Sequence, residues 1–575
     1  MGKFLLGLIT GVVLVVIVVV LFLFALVRFQ SKPPEIADHS VLVVRLHGDI
    51  PEKPPVELPA IFGDINPGVT VAGVWSSLRK AAADSHIKAV VLEPEGLSAG
   101  WGKLDELRAD VEAFRKSGKP VFAYLRAPGG REYYAALAAE RIYLGPQEPV
   151  MLKGLRAETM YFKGTLDKLG VSVGVEHAGK YKDFGDMFTR KDMSPETRDV
   201  LNSVVDGVYG NLVARIAAAR KKSPEEVRAI IDRGPFTASQ ALQGGLVDRL
   251  RFEDQMWGEL QERLGGVSVK KVAIGAYMKV PMSAVGLQGR SRIALVIGEG
   301  DIVRGQPNDD GAGESSLTSY GFDKILNRVA NDSGIKAAVV RIDSPGGEVT
   351  ASDEIWRQMN LLSKKKPTVI SMSDVAASGG YYMAMTGDPV VAYPQTLTGS
   401  IGVVFGKPDL HGLYDKLGVT KDAVQRGQHA DIDSDYTPLS PDERDLLRRG
   451  IDESYRDFVS KVAAARHRPF GEIEPVAQGR VWLGSQAQAH GLVDQLGGLD
   501  AAIDLVKKRA NIPAGERVTV EVYPQPVSIL DVILKRPSTE DVLDGKLRPV
   551  FGRIPFHAWM RGGFLRLMPF WVEVR

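Results

Sequence analysis

The chain has 575 residues, 44% hydrophobic and 25% charged, the balance of a globular protein with room for about two to four domains. Its formal net charge is +2, and basic runs such as Lys364-Lys365-Lys366 are short, so nothing points to nucleic acid as a partner. Cysteine is absent, which excludes disulfides, thiolate nucleophiles and cysteine-ligated metals; the 9 histidines show no close ligand spacing, so neither a metal nor a cofactor is expected.

From the amino terminus, Phe4 to Val27 is an uncharged apolar run. A helix of that length, at about 1.5 Å per residue, exceeds the roughly 30 Å hydrocarbon core of a bilayer. Residues 1–28 therefore read as a transmembrane anchor. A cleaved signal peptide fits less well: its apolar region spans about 7–15 residues, and here Arg28-Phe29-Gln30 stands where a small-x-small site would be. Lys3 on one side and Arg28 and Lys32 on the other nearly balance, and the short amino-terminal flank favours a body outside the cytoplasm. Residues 29–40, with Pro33-Pro34, read as a linker.

The rest of the chain is a tandem duplication, with copies at 41–265 and 291–512, a linker at 266–290 and an extension at 513–575. Ile87-Lys88-Ala89-Val90 returns as Ile335-Lys336-Ala337-Ala338, 248 residues later. In the same register Tyr133-Tyr134 matches Tyr381-Tyr382, Pro146 matches Pro394, and Asp167 to Val171 matches Asp415 to Val419. After a small gap the spacing is 246, pairing Ser194-Pro195 with Ser440-Pro441, Ala217 to Arg220 with Ala463 to Arg466, and Gly245 to Asp248 with Gly491 to Asp494. Short β-branched runs (Val41–Val44, Val339–Ile342, Thr368–Met372, Val390–Ala392) alternate with helical patterns (Ser352–Leu362, Pro441–Ala465). That alternation predicts an α/β fold with mostly parallel sheets and right-handed crossovers.

Two loops of the second copy carry chemistry. One strand ends in Asp343-Ser344-Pro345-Gly346-Gly347, where paired glycines let backbone N–H groups approach a ligand as an oxyanion hole requires. Alone, Pro-Gly-Gly reads as an ordinary turn. The next strand ends in Ala376-Ala377-Ser378-Gly379-Gly380, putting a small hydroxyl at a strand-to-helix junction. Ala376 excludes the G-x-S-x-G elbow, and a solitary Ser378 reads as a helix cap.

These two loops, with Thr396-Leu397-Thr398-Gly399-Ser400-Ile401-Gly402, resemble the consecutive signatures of the signal peptide peptidase A (protease IV) family in its long, duplicated form, over about residues 41 to 512. The resemblance implies a fold similar to the Clp protease and crotonase superfamily. It implies Ser378 as nucleophile, Gly346, Gly347 and Gly379 around an oxyanion hole, and Ser400 as the hydroxyl that aims the base. The base itself would be Lys182, in Gly179-Lys180-Tyr181-Lys182 followed by Asp192-Met193-Ser194-Pro195, while Lys180 reads as a solvated surface charge. A lysine acts as a base only when neutral, and burial in an apolar pocket lowers its pKa by about 3–5 units. The duplication gives separate support. Ala430 stands opposite Lys182, Gly130 or Arg131 opposite Ser378, and Ser98-Ala99 opposite Gly346-Gly347, so each copy alone is catalytically incomplete. Ser400 as a plain turn residue and His429 with Asp431 as an alternative base remain open at this level.

The resemblance further implies a serine endopeptidase anchored in a bacterial inner membrane with its body on the periplasmic side. Remnant signal peptides and similar apolar peptides would be its substrates. It implies a bowl-shaped homotetramer in which serine and lysine meet between protomers. A crotonase-like acyl-CoA enzyme and a non-catalytic membrane scaffold are the competing readings. In the extension, Phe556 to Arg561 and Phe564 to Trp571 mix aromatics with arginine, which suits either a membrane interface or packing on the body.

Overall fold

The computed structural model describes residues 7, 10, 11, 14, 34–53, 68–305, 316–525, 564–568 and 573–574. Two parallel sheets form the body. The first runs, in spatial order, β7 (Arg249–Leu250), β4 (Arg141–Leu144), β3 (Val121–Leu125), β2 (Ile87–Leu97), β1 (Ser40–Gly48), β8 (Lys270–Ala273). The second runs β19 (Gln495–Leu496), β15 (Val390–Ala392), β14 (Thr368–Ala377), β12 (Ile335–Ser344), β9 (Ser291–Glu299), β20 (Val518–Tyr523). The two strand orders are the same, so the duplication seen in the sequence is a duplication of topology. Residues 266–290 contain β8 and residues 513–575 contain β20, so the stretches read as linker and extension each supply an edge strand.

The central strands each carry an apolar run, because helices cover both faces. Val339, Val340 and Ile342 are fully buried, as are Val90 and Val91 of the first copy. The helices Pro195–Arg220 and Pro441–Ala465 occupy corresponding places, each opening on a serine whose side chain accepts from a backbone N–H, with proline in the first turn. The helix expected over Ser352–Leu362 extends over Val349–Lys365.

On the second copy, β16 (Leu397–Gly399) continues the sheet beside the far end of β14, with β18 (Val481–Leu483) antiparallel to it. A third, mixed sheet runs β11 (Leu317–Thr318), β10 (Ile302–Val303), β13 (Gly346–Glu348), β21 (Phe564–Leu567), β17 (Val403–Asp409), β6 (Ser172–Ala178). It is built from both copies and the carboxy-terminal extension. A two-stranded pair, β5 (Ala157–Glu158) with β22 (Glu573–Val574), fixes a second point of that extension.

Buried charge joins the copies. Arg341 lies 2.9 Å from Glu52 and 3.1 Å from Glu106, all three essentially without exposure. Lys103, equally buried, reaches Asp343 at 2.9 Å. Asp343 also accepts from the backbone N–H of Val375 at 3.0 Å, so one carboxylate ties the glycine loop, the serine strand and the first copy together.

Among the described residues no helix is long and apolar enough to cross a membrane. The run Phe4 to Val27, read as an anchor, lies outside them apart from Gly7, Thr10, Gly11 and Leu14. Of the aromatic tail, Phe564 to Met568 packs into the body, whereas Phe556 to Arg561 lies outside the described residues.

Candidate active site

The pairing of β6 with β17 brings the two copies to one point. It is antiparallel, from Ser172↔Asp409 to Ala178↔Val403. The chain leaving β6 therefore runs past the start of β17, where Ser400, Ile401 and Gly402 have just emerged from β16. Gly179, at φ 107°, turns the backbone, and the N–H of Tyr181 donates to the carbonyl of Gln478 at 2.8 Å. Lys182 is delivered inward, into a channel walled by glycine. A Cβ on Gly402 would stand 3.0 Å from Lys182 Cδ, and one on Gly479 2.6 Å from Lys182 N.

Lys182 is fully buried. Its Nζ lies 2.8 Å from Ser378 Oγ, 2.8 Å from Ser400 Oγ and 2.9 Å from the Ser400 carbonyl. Burial holds its pKa well below the ordinary value of 10.5; the neighbouring Asp183 opposes this, and the Arg566 guanidinium adds to it. Three partners match a neutral amine, whose two N–H groups donate to Ser400 while its lone pair accepts from the Ser378 hydroxyl. Lys180 is solvated, 61% exposed and 3.8 Å from Glu196. Serine and lysine thus meet within one chain, which corrects the expectation that they meet between protomers. The β6–β17 pairing is the reason.

Ser378 sits at the end of β14 with φ 56° and ψ −115°, a conformation that L residues avoid and that costs about 1–3 kcal/mol. Its N–H donates to Gly399 at 2.8 Å, and its carbonyl accepts from Tyr382 at 2.8 Å. The helix that follows, Gly379–Met383, receives no side-chain cap from Ser378, so the hydroxyl is free of the capping role a lone serine suggests. Ser400 is also at positive φ, 52°, which aims both its carbonyl and its hydroxyl at the amine.

The glycines converge as well. A Cβ on Gly346 (φ 104°) would collide with the Arg566 carbonyl and stand 2.6 Å from Gly379 N. One on Gly379 would stand 3.1 Å from Gly346 Cα and 3.2 Å from Gly347 N. Only backbone without side chains packs this closely, and it leaves amide groups beside the serine.

His429 lies elsewhere, 3.9 Å from Glu443 and half-exposed, and takes no part. Asp183 was not singled out by sequence reasoning. It is buried next to the lysine, hydrogen-bonded to Ser194 at 3.3 Å and to Thr197, and its carboxyl is raised to about 6, chiefly by burial. The signal for it was the Ser194-Pro195 helix start eleven residues on, which supplies those hydroxyls. Arg566, buried and close enough for its charge to bear on the amine, lay beyond the repeat; the aromatic and arginine stretch from Phe564 to Trp571 marked its segment but not this role.

A strained serine, a buried amine at hydrogen-bond distance and a side-chain-free backbone pocket define the class of serine hydrolases. The sequence matches Peptidase family S49 over residues 113–268 and 360–513. It is 37% identical over 520 residues to Serine protease SPPA, chloroplastic, of Arabidopsis thaliana, spanning 89% of this chain and 74% of that one. It is 33% identical over 476 residues to Protease 4 of Salmonella typhi, spanning 80% and 75%. Among solved structures a ClpP1 mutant from Listeria monocytogenes aligns with TM-score 0.24 at 14% identity, over 36% of this chain and 94% of that one. The chain belongs to peptidase family S49 and is a serine peptidase.

Proposed function

We propose that the protein is a membrane-anchored endopeptidase with a serine–lysine dyad, Ser378 as nucleophile and Lys182 as general base. The observation that carries this is the 2.8 Å contact between a buried, deprotonation-prone amine and a hydroxyl held in a strained turn. Neutral Lys182 takes the Ser378 proton as Oγ attacks the scissile carbonyl. The N–H of Gly379 and the backbone of Gly346-Gly347 surround the developing oxyanion. The protonated amine then gives its proton to the departing peptide nitrogen, and water, deprotonated by the same amine, hydrolyses the acyl-enzyme. Ser400 is a positioning residue, holding both N–H groups so that the lone pair faces Ser378.

Substrates are remnant signal peptides and similar apolar peptides, with the run Phe4 to Val27 holding the enzyme at the bacterial inner membrane and the body on the periplasmic side. The working particle is a homotetramer. A crotonase-like acyl-transfer reading would need neither the strained serine nor the buried amine, and a scaffold would have no cause to set a buried lysine amine against a strained serine rather than a carboxylate. Ser378→Ala and Lys182→Ala should each lower kcat for an internally quenched peptide by about 10³-fold or more while leaving the oligomer's elution volume unchanged. Cleavage at the wild-type rate by either variant would remove the dyad.

A further inference from the structure

The two copies do not close on each other completely. Between the helices Val71–Ala83 and Trp101–Arg115 of the first copy and the helix Leu499–Arg509 of the second lies a cavity of about 650 Å³, bounded also by the start of β20. That volume suits a small organic ligand. Its apolar wall is formed by Trp75, Leu78, Phe114, Ile503 and Val520. Neither Ser378 nor Lys182 lines it, so it is separate from the catalytic site.

One group in that wall lacks a partner. Asp110 is 6% exposed, and its Oδ2 is buried without a hydrogen bond among the described residues. Burial holds its carboxyl well above the ordinary 3.8; Glu106 and Asp500 add to this, and the guanidiniums of Arg79 and Arg341 oppose it without cancelling it. Both cations are already engaged. Arg341 lies 3.1 Å from Glu106 and 2.9 Å from Glu52, and Arg79 pairs with Asp500, which also accepts from Trp75 Nε1 at 2.6 Å. The second copy shows that the fold does not require such a group. At the spacing of 248, Arg79 and Asp110 become Asn327 and Gln358, and the Asn327 amide donates to Gln358 Oε1 at 3.4 Å. There the pair is neutral and satisfies itself. In the first copy a carboxyl is buried against the fold's interest and left facing the cavity.

The other end of the cavity is basic. Lys116 and Lys507 follow Asp110 and Asp500 by six and seven residues, about 9–10 Å along a helix at about 1.5 Å per residue. Lys507, 7% exposed, donates one N–H to the Ala514 carbonyl at 2.6 Å and has two more to offer. With Arg517 on the same wall, three cations against Asp504 and Glu516 leave this end net positive. We propose that the cavity binds a short apolar peptide by both its ends, the α-ammonium on Asp110 and the α-carboxylate on Lys116 and Lys507, with its side chains on Leu78, Phe114 and Ile503. An extended chain advances about 3.3–3.6 Å per residue, so the distance between the acidic and basic ends fits about three residues. The ammonium supplies the counter-charge that Asp110 lacks, and Asp110 releases its proton to solvent as the pair forms. A fatty acid would satisfy the basic end and leave Asp110 unpaired. Short peptides are what a peptidase leaves behind, yet this binding uses neither Ser378 nor Lys182 and stands apart from the dyad reading.

The test is titration calorimetry on the full chain carrying Ser378→Ala, which keeps peptides intact, with Leu-Phe-Leu, its N-acetyl form and its C-terminal amide. The free peptide should bind, the acetylated form about tenfold and the amide about fivefold more weakly. Asp110→Asn in the same background should weaken binding of the free peptide about tenfold and remove the penalty for acetylation. Its thermal midpoint should equal or exceed that of its parent, because a neutral amide replaces a buried acid, so lost binding is not lost fold. Ala113→Phe, which fills the cavity, should abolish the binding heat. A peptide held in the catalytic cleft would be indifferent to Asp110→Asn. That outcome, an acetylated peptide as tight as the free one, or no heat at about millimolar peptide overturns the site. Decanoate bound more tightly than the peptide would make the ligand an acyl chain and overturn the peptide assignment.

Discussion

At the scale of single residues, activity turns on the ionisation of Lys182. Because burial lowers its folded-state pKa, the unfolded chain binds the extra proton between that lowered value and 10.5, and stability rises with pH across the window. The amine is therefore a cost to the fold at neutral pH. Lys182→Met should raise the thermal midpoint at pH 7, and the gain should shrink as pH approaches the ordinary lysine value; a midpoint shift independent of pH would mean the amine is charged in the folded state. The same depression sets activity. In wild type kcat/KM should climb through one acid limb well below 10.5 and then level, because only the neutral amine accepts the serine proton. Ser378, Lys182, Ser400 and the glycines could be picked from motifs, because hydroxyl, amine and bare backbone leave recognisable short strings. Asp183 and Arg566 could not: Asp183 is set apart by its burial, which leaves no mark in a short string, and the surroundings of Arg566 come from distant segments.

At the scale of elements, the β6–β17 pairing is what makes one site of two copies. Nothing in the sequence of Ser172–Ala178 announces it: Ser-Val-Gly-Val-Glu-His-Ala reads as a strand, but its partner lies more than two hundred residues on. The parallel sheets were legible because strands covered on both faces read as unbroken apolar runs. The third sheet was not, because its strands are short or come from the far end of the chain. Glycine at 402 is a demand of this junction. A Cβ there would stand 2.9 Å from the Ala178 carbonyl and 3.0 Å from Lys182 Cδ. Gly402→Ala should displace the amine and lower kcat by about 10²-fold with KM little changed. Circular dichroism matching wild type would show that the loss is local; an unimpaired Gly402→Ala enzyme would mean the lysine has room to spare.

At the scale of the whole molecule, the copies are locked by Arg341 against Glu52 and Glu106, and by Lys103 against Asp343. Removing one partner of a buried pair strands the others. Arg341→Leu should destabilise by about 3–5 kcal/mol, read as a lower urea midpoint, and the loss should lessen if Glu52 and Glu106 are replaced with it. The duplication was legible from repeated strings, and so was the division of chemistry between the copies, because Ala430 and Gly130 break the pattern at the two places that matter. The buried charges between copies were not, since an arginine or lysine in a sequence carries no mark of burial.

The most direct measurement is the rate at which a peptidyl fluorophosphonate modifies the full-length protein across pH, with the modified residue located by peptide mass, in wild type and in Lys182→Met. The expected result is a single adduct on Ser378, a rate that rises through one ionisation well below 10.5, and loss of that rate and its pH dependence in Lys182→Met. An adduct on another residue, or Lys182→Met labelled as fast as wild type, would contradict it.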